Sequence, residues 1–248
     1  MYHFFVERSQ IDTENKTAYI EGSDYNHIKN VIRLNPGEEI SLSDGESDNE
    51  YRVSVKEYSD DRVICDLLFI KESDVELPIR ITLMQALAKG DKMETVVQKA
   101  VELGAYSIMP VKTERCVVKW DDKKADSKIK RLNTIAEAAA KQSQRGVIPE
   151  VTKALTFKEA IDAVKDHDIK LMPYEMAEGM EKTREILSKI NAGMSVAVLI
   201  GPEGGFAGSE VEYAAENGFE IITLGKRILR TETAGMTVLS ILSYLTEK

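Results

Sequence analysis

From residue 79 onward, short apolar runs alternate with amphipathic stretches, and this alternation limits the fold more than any other feature of the chain. The runs at 79–87 and 106–111 read as strands, and those at 169–172, 194–200 and 220–224 as buried strands. A helix is expected at 91–103, with Met93, Val96, Val97, Ala100 and Val101 on one stripe and Gly104 at its end. A second, at 126–143, carries Ile129, Leu132, Ile135, Ala136 and Ala139, with Gly146 and Pro149 beyond it. Asp91 with Glu94, Thr156 with Glu159, and Ser209 with Glu212 have the spacing of capping boxes. Strand, helix, strand in this order implies an α/β domain with a parallel sheet covered by helices.

The first 72 residues follow a different grammar. Short β-rich runs at 2–6, 17–20, 39–42, 50–56 and 62–70 are broken by Asn35-Pro-Gly and Asp44-Gly, which reads as a small antiparallel barrel. One or two helical turns are expected at 23–32, with Ser23 as the cap and Ile28, Val31 and Ile32 on one face. The polar stretch 71–78, ending in Pro78, reads as a linker. The expected domains are therefore 1–72 and 73–248.

Composition bounds the function. At 248 residues and 43% hydrophobic content the chain suits one large or two modest soluble domains. It has no run of about 18 apolar residues, and MYHFFVERSQ lacks the basic and apolar regions of a signal peptide, so a cytoplasmic protein is expected. Cys65 and Cys116 belong to no metal-ligand or disulfide pattern and read as buried thiols. His3, His27 and His167 are too scattered for a metal set, so no metal is expected. The net charge of −9 is uneven: residues 1–78 hold 18 acidic and 8 basic residues, the remaining 170 hold 24 and 25. Within the second part, Lys112, Arg115, Lys119, Lys123, Lys124, Lys128, Lys130 and Arg131 form a basic stretch that suits phosphates, or equally a solvated helix face.

Three loops follow the three buried strands: Pro173-Tyr-Glu-Met, Gly201-Pro-Glu-Gly-Gly-Phe and Gly225-Lys-Arg-Ile-Leu-Arg-Thr-Glu-Thr. Ligands of open α/β sheets bind beyond the carboxyl ends of the strands, so three such loops can build one pocket. The pocket is not of a common nucleotide type. G-x-G-x-x-G is absent, GPEGGF has no G-K-[ST] ending, and there is no G-x-S-x-G elbow.

The stretches KGDKMETVVQKAVELGA (89–105), AAKQSQRGVIPEV (139–151), IGPEGGF (200–206) and LGKRILRTETA (224–234), in this order, resemble the RsmE family of 16S rRNA (uracil-N3)-methyltransferases, of the SPOUT class. HIKNVIR (27–33) extends the resemblance into the first domain. Lys141 departs from it, since relatives often carry an acidic residue there. The resemblance implies a SPOUT-type parallel sheet with a C-terminal deep trefoil knot, an exception to unknotted topology, and a PUA-like β-barrel domain at 1–72 that contacts RNA. It also implies a homodimer, S-adenosyl-L-methionine as cofactor, and N3-methyluridine near the 3′ end of 16S rRNA, in the small ribosomal subunit, as product.

On that reading, Gly201, Gly204 and Gly205 let the backbone lie against the cofactor. The backbones of Leu224, Ile228 and Leu229 supply contacts to adenine, Gly225 belongs to the same cofactor-binding set, and Leu171, Met172 and Ile200 wall the pocket. Uracil N3 carries a proton, so its methylation calls for a fixed cation to stabilise the resulting anion; Arg230 is the candidate, with a structural ion pair as its other reading. Glu203, Glu175 and Glu232 are the available carboxylates, and Glu203 either orients its loop or lies near the transferred methyl group. Arg8, His27, Lys29 and Arg33 would mark an RNA-facing side of the first domain if they cluster. Gln142 and Arg145 are RNA-contact candidates that also fit capping or packing roles. Two other functions compete: a non-catalytic RNA-binding protein of the same fold, and a small-molecule α/β enzyme indifferent to RNA.

Overall fold

The computed structural model describes residues 1–45, 47, 49–120, 122–177 and 179–247; the side chains of 122–124, and with them Lys123 and Lys124 of the basic stretch, lie outside the described residues. The chain forms two compact units. The first comprises Met1–Glu76 and Ala140–Ile148, the second Leu77–Ala139 and Pro149–Lys248.

The first unit is built on strands β1 (His3–Phe5), β2 (Ile11–Asp12), β3 (Thr17–Glu21), β4 (Glu39–Ser43), β5 (Asn49–Tyr58) and β6 (Arg62–Glu72), in the order β1-β4-β5-β6-β3-β2. Alternating buried and outward residues in β3, β5 and the first half of β6 give the sheet one apolar face. That face packs Ile20, Ile28, Ile40, Leu42, Val53, Val55, Val63 and Cys65 into one core. The sheet is not wholly antiparallel as expected: β1 pairs with β4 in parallel, His3 opposite Ser41. The short helix α1 (Gly22–Asn26) and a π-type turn, His27–Ile32, fill the expected helical stretch, and Arg33 ends it in the left-handed region at φ 61°. Ser23 does not cap it; the cap position is Glu21, with no side-chain hydrogen bond.

In the second unit, β7 (Arg80–Ala86), β8 (Ser107–Lys112), β9 (Glu150–Val151), β10 (Leu155–Thr156), β11 (Ile169–Pro173), β12 (Ser195–Ile200) and β13 (Glu220–Ile222) form a seven-stranded sheet. Its order is β10-β8-β7-β12-β11-β13, with β9 also on β8, and every pairing is parallel. β7 and β12 are buried along nearly their whole length, which is why they read as continuous apolar runs. The helices are α2 (Lys92–Glu102), α3 (Asp122–Gln142, its last three residues in the first unit), α4 (Phe157–Ala163), α5 (Met180–Leu187), α6 (Gly208–Glu216) and α7 (Thr231–Thr246). The predicted stripe of α2, from Met93 to Val101, is buried.

Of the three expected capping boxes one forms. Thr156 accepts from the Glu159 N–H while Glu159 accepts from the Thr156 N–H. Asp91 makes no side-chain cap, and Glu94 instead pairs with Arg131 at 2.7 Å. At α6 the helix starts two residues early, so Glu210, not Glu212, accepts from the Ala207 N–H at the cap.

Candidate active site

Parallel pairing places the carboxyl ends of β12, β11 and β13 side by side, so the three loops that follow them emerge together. They enclose a cavity of about 930 Å³. Its walls come from 173–175, 177, 179–180, 200–203, 205–206 and 223–231, with Lys92 from α2 and Ala234 from α7.

The glycine-rich loop after β12 is bare for local reasons. A Cβ on Gly201 would stand 3.0 Å from the Phe206 ring, inside normal contact. Gly205 has φ +66°, and a Cβ there would lie 3.2 Å from Glu175 Oε1. The loop is pinned at its start and in its middle. Thr231, the first residue of α7, donates its hydroxyl to the Gly201 carbonyl at 2.6 Å and accepts from Gln85 Nε2 at 2.8 Å. Gln85 is fully buried at the end of β7. Halfway along, Glu203 Oε1 accepts from Lys92 Nζ at 2.9 Å and from the Lys89 N–H at 3.2 Å.

Partial burial pushes the Glu203 carboxyl up, but hydrogen bonds from Lys92, its own N–H and Lys89 outweigh it and hold the group below the usual carboxylate value. Lys92 is raised in turn, first by its bond to Glu203 and against some desolvation, with the charges of Glu203 and Glu232 adding. Glu203 is therefore an ion-paired carboxylate, bonded to Lys92 and to the Lys89 backbone. The third acidic candidate, Glu232, lies 3.6 Å from Lys92 Nζ.

Arg230 is exposed at the cavity's edge, and its guanidinium makes no hydrogen bond or ion pair among the described residues. It occupies the cap position of α7 through its backbone alone, without a side-chain cap bond. Ile200, Gly201, Gly205, Leu224, Gly225, Ile228 and Leu229 line the cavity with it. Leu171 and Met172 do not. Both are fully buried inside β11, flanked by β12 and β13, and Met172 packs with Met84, Leu199 and Phe206. Gly204 is also outside the lining, lying against Arg115, which donates to its carbonyl at 3.2 Å. Lys92 and Thr231 fall within the stretches 89–105 and 225–233 singled out in the sequence, and Gln85 in neither, but none was named as a site residue, because each acts through a partner more than 100 or about 30 positions away.

The RNA-contact candidates all lie in the first unit. His27, Lys29 and Arg33 are exposed on the π-type turn and its end, with Lys29 over the Tyr25 ring and bonded to its hydroxyl. Arg8 is exposed on a separate turn, donating to the Ile11 carbonyl at 2.9 Å and facing the Tyr51 ring. Gln142 is exposed at the end of α3. Arg145 is only 3% exposed and is ion-paired with Glu76, its Nε 3.1 Å from each carboxylate oxygen, so it is a packing residue of this unit. Lys141 pairs with Asp24 at 3.0 Å.

Residues 75–243 match the model of an RNA methyltransferase domain, and residues 20–68 that of an RNA methyltransferase PUA domain. The chain is 37% identical to ribosomal RNA small subunit methyltransferase E of Bacillus subtilis (strain 168), covering 100% of this chain and 98% of that one. Among solved structures it is similar to a ribosomal RNA small subunit methyltransferase E of Neisseria gonorrhoeae bound to S-adenosyl methionine. That similarity has 31% identity and a TM-score of 0.84, over 99% of this chain and 98% of the other. A Legionella pneumophila methyltransferase in complex with the cofactor SAM is 30% identical with a TM-score of 0.81, over 98% and 96%.

Proposed function

The chain belongs to the RsmE family of ribosomal RNA small subunit methyltransferases, and from that premise we propose that it methylates N3 of a uridine near the 3′ end of 16S rRNA, using S-adenosyl-L-methionine. The observation that carries the reading is the convergence of three strand-end loops on one cavity with a free guanidinium at its edge. The residues present fit the cofactor. A cavity of about 930 Å³ lies within the range of roughly 300–1,000 Å³ typical of small-molecule sites. Its wall includes Gly201, Gly205 and Gly225, where no side chain stands between the main chain and a nucleoside. Ile200, Leu224, Ile228 and Leu229 would hold the adenine, with Gly201, Gly205 and Gly225 admitting it close to the chain.

When bound, S-adenosylmethionine supplies a sulfonium methyl group for in-line transfer. The protein's share is alignment, from which well-oriented reactants recover about 7–11 kcal/mol of barrier. The Gly201–Phe206 packing and the Gln85–Thr231–Gly201 bonds hold the loop rigid before any ligand arrives. Arg230 then holds the negative charge left on the uracil as N3 gives its proton to solvent water or hydroxide. A guanidinium offers fixed donors and no acceptor, so this side chain is not the base.

The finer features follow from the same membership. The segment after β13 is read as the trefoil knot, supported by the bonds that return Thr231 to Gln85 and Gly201. Dimerisation is supported by the uncovered face of α7, where Met236, Ile241 and Tyr244 line a shallow groove and Tyr244 is 83% exposed. RNA contact by the first unit rests on His27, Lys29 and Arg33 within one turn. No described helix is long and apolar enough to cross a membrane, in keeping with work on ribosomal subunits in the cytoplasm.

The test is incubation with labelled S-adenosylmethionine and small ribosomal subunits lacking the modification. Label in N3-methyluridine is expected. No label beside an active control would overturn this reading, and absence of any cofactor binding by calorimetry would favour a non-catalytic RNA-binding protein.

A further inference from the structure

Lys92 opens α2, and its ammonium joins two elements that the proposed chemistry needs in register. Nζ donates to Glu203 at 2.9 Å and lies 3.6 Å from Glu232 Oε2. Glu203 sits in the middle of the glycine-rich loop. Glu232 is in the first turn of α7, just past Arg230 and next to Thr231, whose hydroxyl holds Gly201. Two carboxylates drawn to one place repel, and a cation between them turns that repulsion into attraction. The need is greatest at Glu232, whose Oε2 is buried and accepts no hydrogen bond among the described residues. A buried carboxylate oxygen without compensation is costly, so the charge of Lys92 is what makes its position tolerable. The three side chains are 20–29% exposed, which limits screening by solvent.

We infer that Lys92 is a positioning residue for methyl transfer: it clamps the glycine-rich loop to the first turn of α7 and so sets the cavity wall in register with the Arg230 guanidinium. The inference rests on the methyltransferase reading above. Lys92 acts through Glu203 and Glu232 and contributes no bond to the reacting atoms. Its role requires a charge at this point in space, and arginine supplies that charge where methionine supplies only the length of the stem.

The experiment compares wild type with Lys92→Met, Lys92→Arg, Glu232→Gln and the Lys92→Met/Glu232→Gln double variant. It reads steady-state methylation of small subunits, calorimetric affinity for S-adenosylmethionine, and hydrogen exchange of the ligand-free proteins. For Lys92→Met, kcat is expected to fall about 10–100-fold, the scale of a misalignment of about 1 Å, with a smaller change in cofactor affinity. Lys92→Arg recovers most of the loss, and the double variant is no slower than the slower single one. In ligand-free Lys92→Met, amides 203–206 exchange faster while β7 and β12 stay protected. An unchanged kcat in folded Lys92→Met, or losses that multiply in the double variant, overturns the inference. If Lys92→Met does not fold, Glu232→Gln decides alone: a fall in kcat supports the clamp and wild-type turnover removes it. A wild-type protein that neither binds the cofactor nor methylates rRNA overturns the methyltransferase reading instead, and the exchange of amides 203–206 then decides the clamp by itself.

Discussion

Arg230 is placed by its backbone and left free by its side chain, and that division makes it testable. It caps α7 in extended conformation with no side-chain bond, so truncation leaves the helix start intact. In Arg230→Ala, kcat is expected to fall roughly 10²–10³-fold, as when one transition-state donor is removed, with cofactor affinity by calorimetry within a few-fold of wild type. Unchanged turnover would assign the arginine to the surface. Glu203 shows the opposite arrangement, a carboxylate whose Oε1 is held by Lys92 and the Lys89 N–H. Its value is lowered in the folded state, so its contribution to stability is present above the unfolded value of about 4.3 and is lost as pH falls through the lower folded value. The melting temperature should therefore drop as pH falls below about 4.3, and less steeply in Glu203→Gln, where that linkage is gone. Identical slopes in the two proteins would show that the ion pair with Lys92 contributes nothing to folding.

At the scale of elements, α6 is held at its start by one buried side chain. Glu210, 7% exposed, accepts from the N–H of Ala207 at its own helix start and from the N–H of Glu114 after β8, each at 2.9 Å. Glu210→Ala leaves two donors without this acceptor and is expected to cost about 1–3 kcal/mol, read as a lower denaturant midpoint at unchanged slope. Glu210→Gln, which keeps an acceptor, should lose less. Glu212 had been the expected cap partner, since Ser209-x-x-Glu212 fits the spacing as well as the true frame does. Spacing alone could not separate the two frames, because the deciding bond comes from Glu114, 96 residues earlier. The same reason explains α2, where Glu94 forgoes a local cap for Arg131. Thr156 and Glu159 formed the box that was expected, with both partners local and exposed. The strand-end loops were legible too, because parallel pairing brings them together whatever their side chains. Leu171 and Met172 were misjudged by the same geometry: apolar residues within a central strand face the layers above and below it, not the cavity beyond its end.

For the molecule as a whole, the change of hydrophobic period gave expected domains of 1–72 and 73–248, and the structure divides the chain at Glu76 and Leu77, inside the polar stretch 71–78. The return of Ala140–Ile148 to the first unit was not readable, since its helical pattern continues without a break from residues that belong to the second. One hold on this segment, beside the Lys141–Asp24 pair, is Glu76, the last residue of the unit before the chain departs. Its carboxylate pairs with the buried Arg145 and accepts from the N–H groups of Gly146 at 3.1 Å and Val147 at 3.4 Å. His3 also faces this segment; burial lowers its value first, against raising effects from Glu50 and the Arg145 backbone. Breaking a buried pair from one side costs about 3–5 kcal/mol, because the remaining charge keeps its desolvation without its partner. Glu76→Ala is thus expected to lose stability on that scale, and to lose it unevenly. Hydrogen exchange should quicken in β1, β4 and 140–148 while β7 and β12 keep their protection. Uniform exchange through both units would mean that they unfold as one cooperative body, and that Glu76 stabilises the whole chain, not the unit it closes.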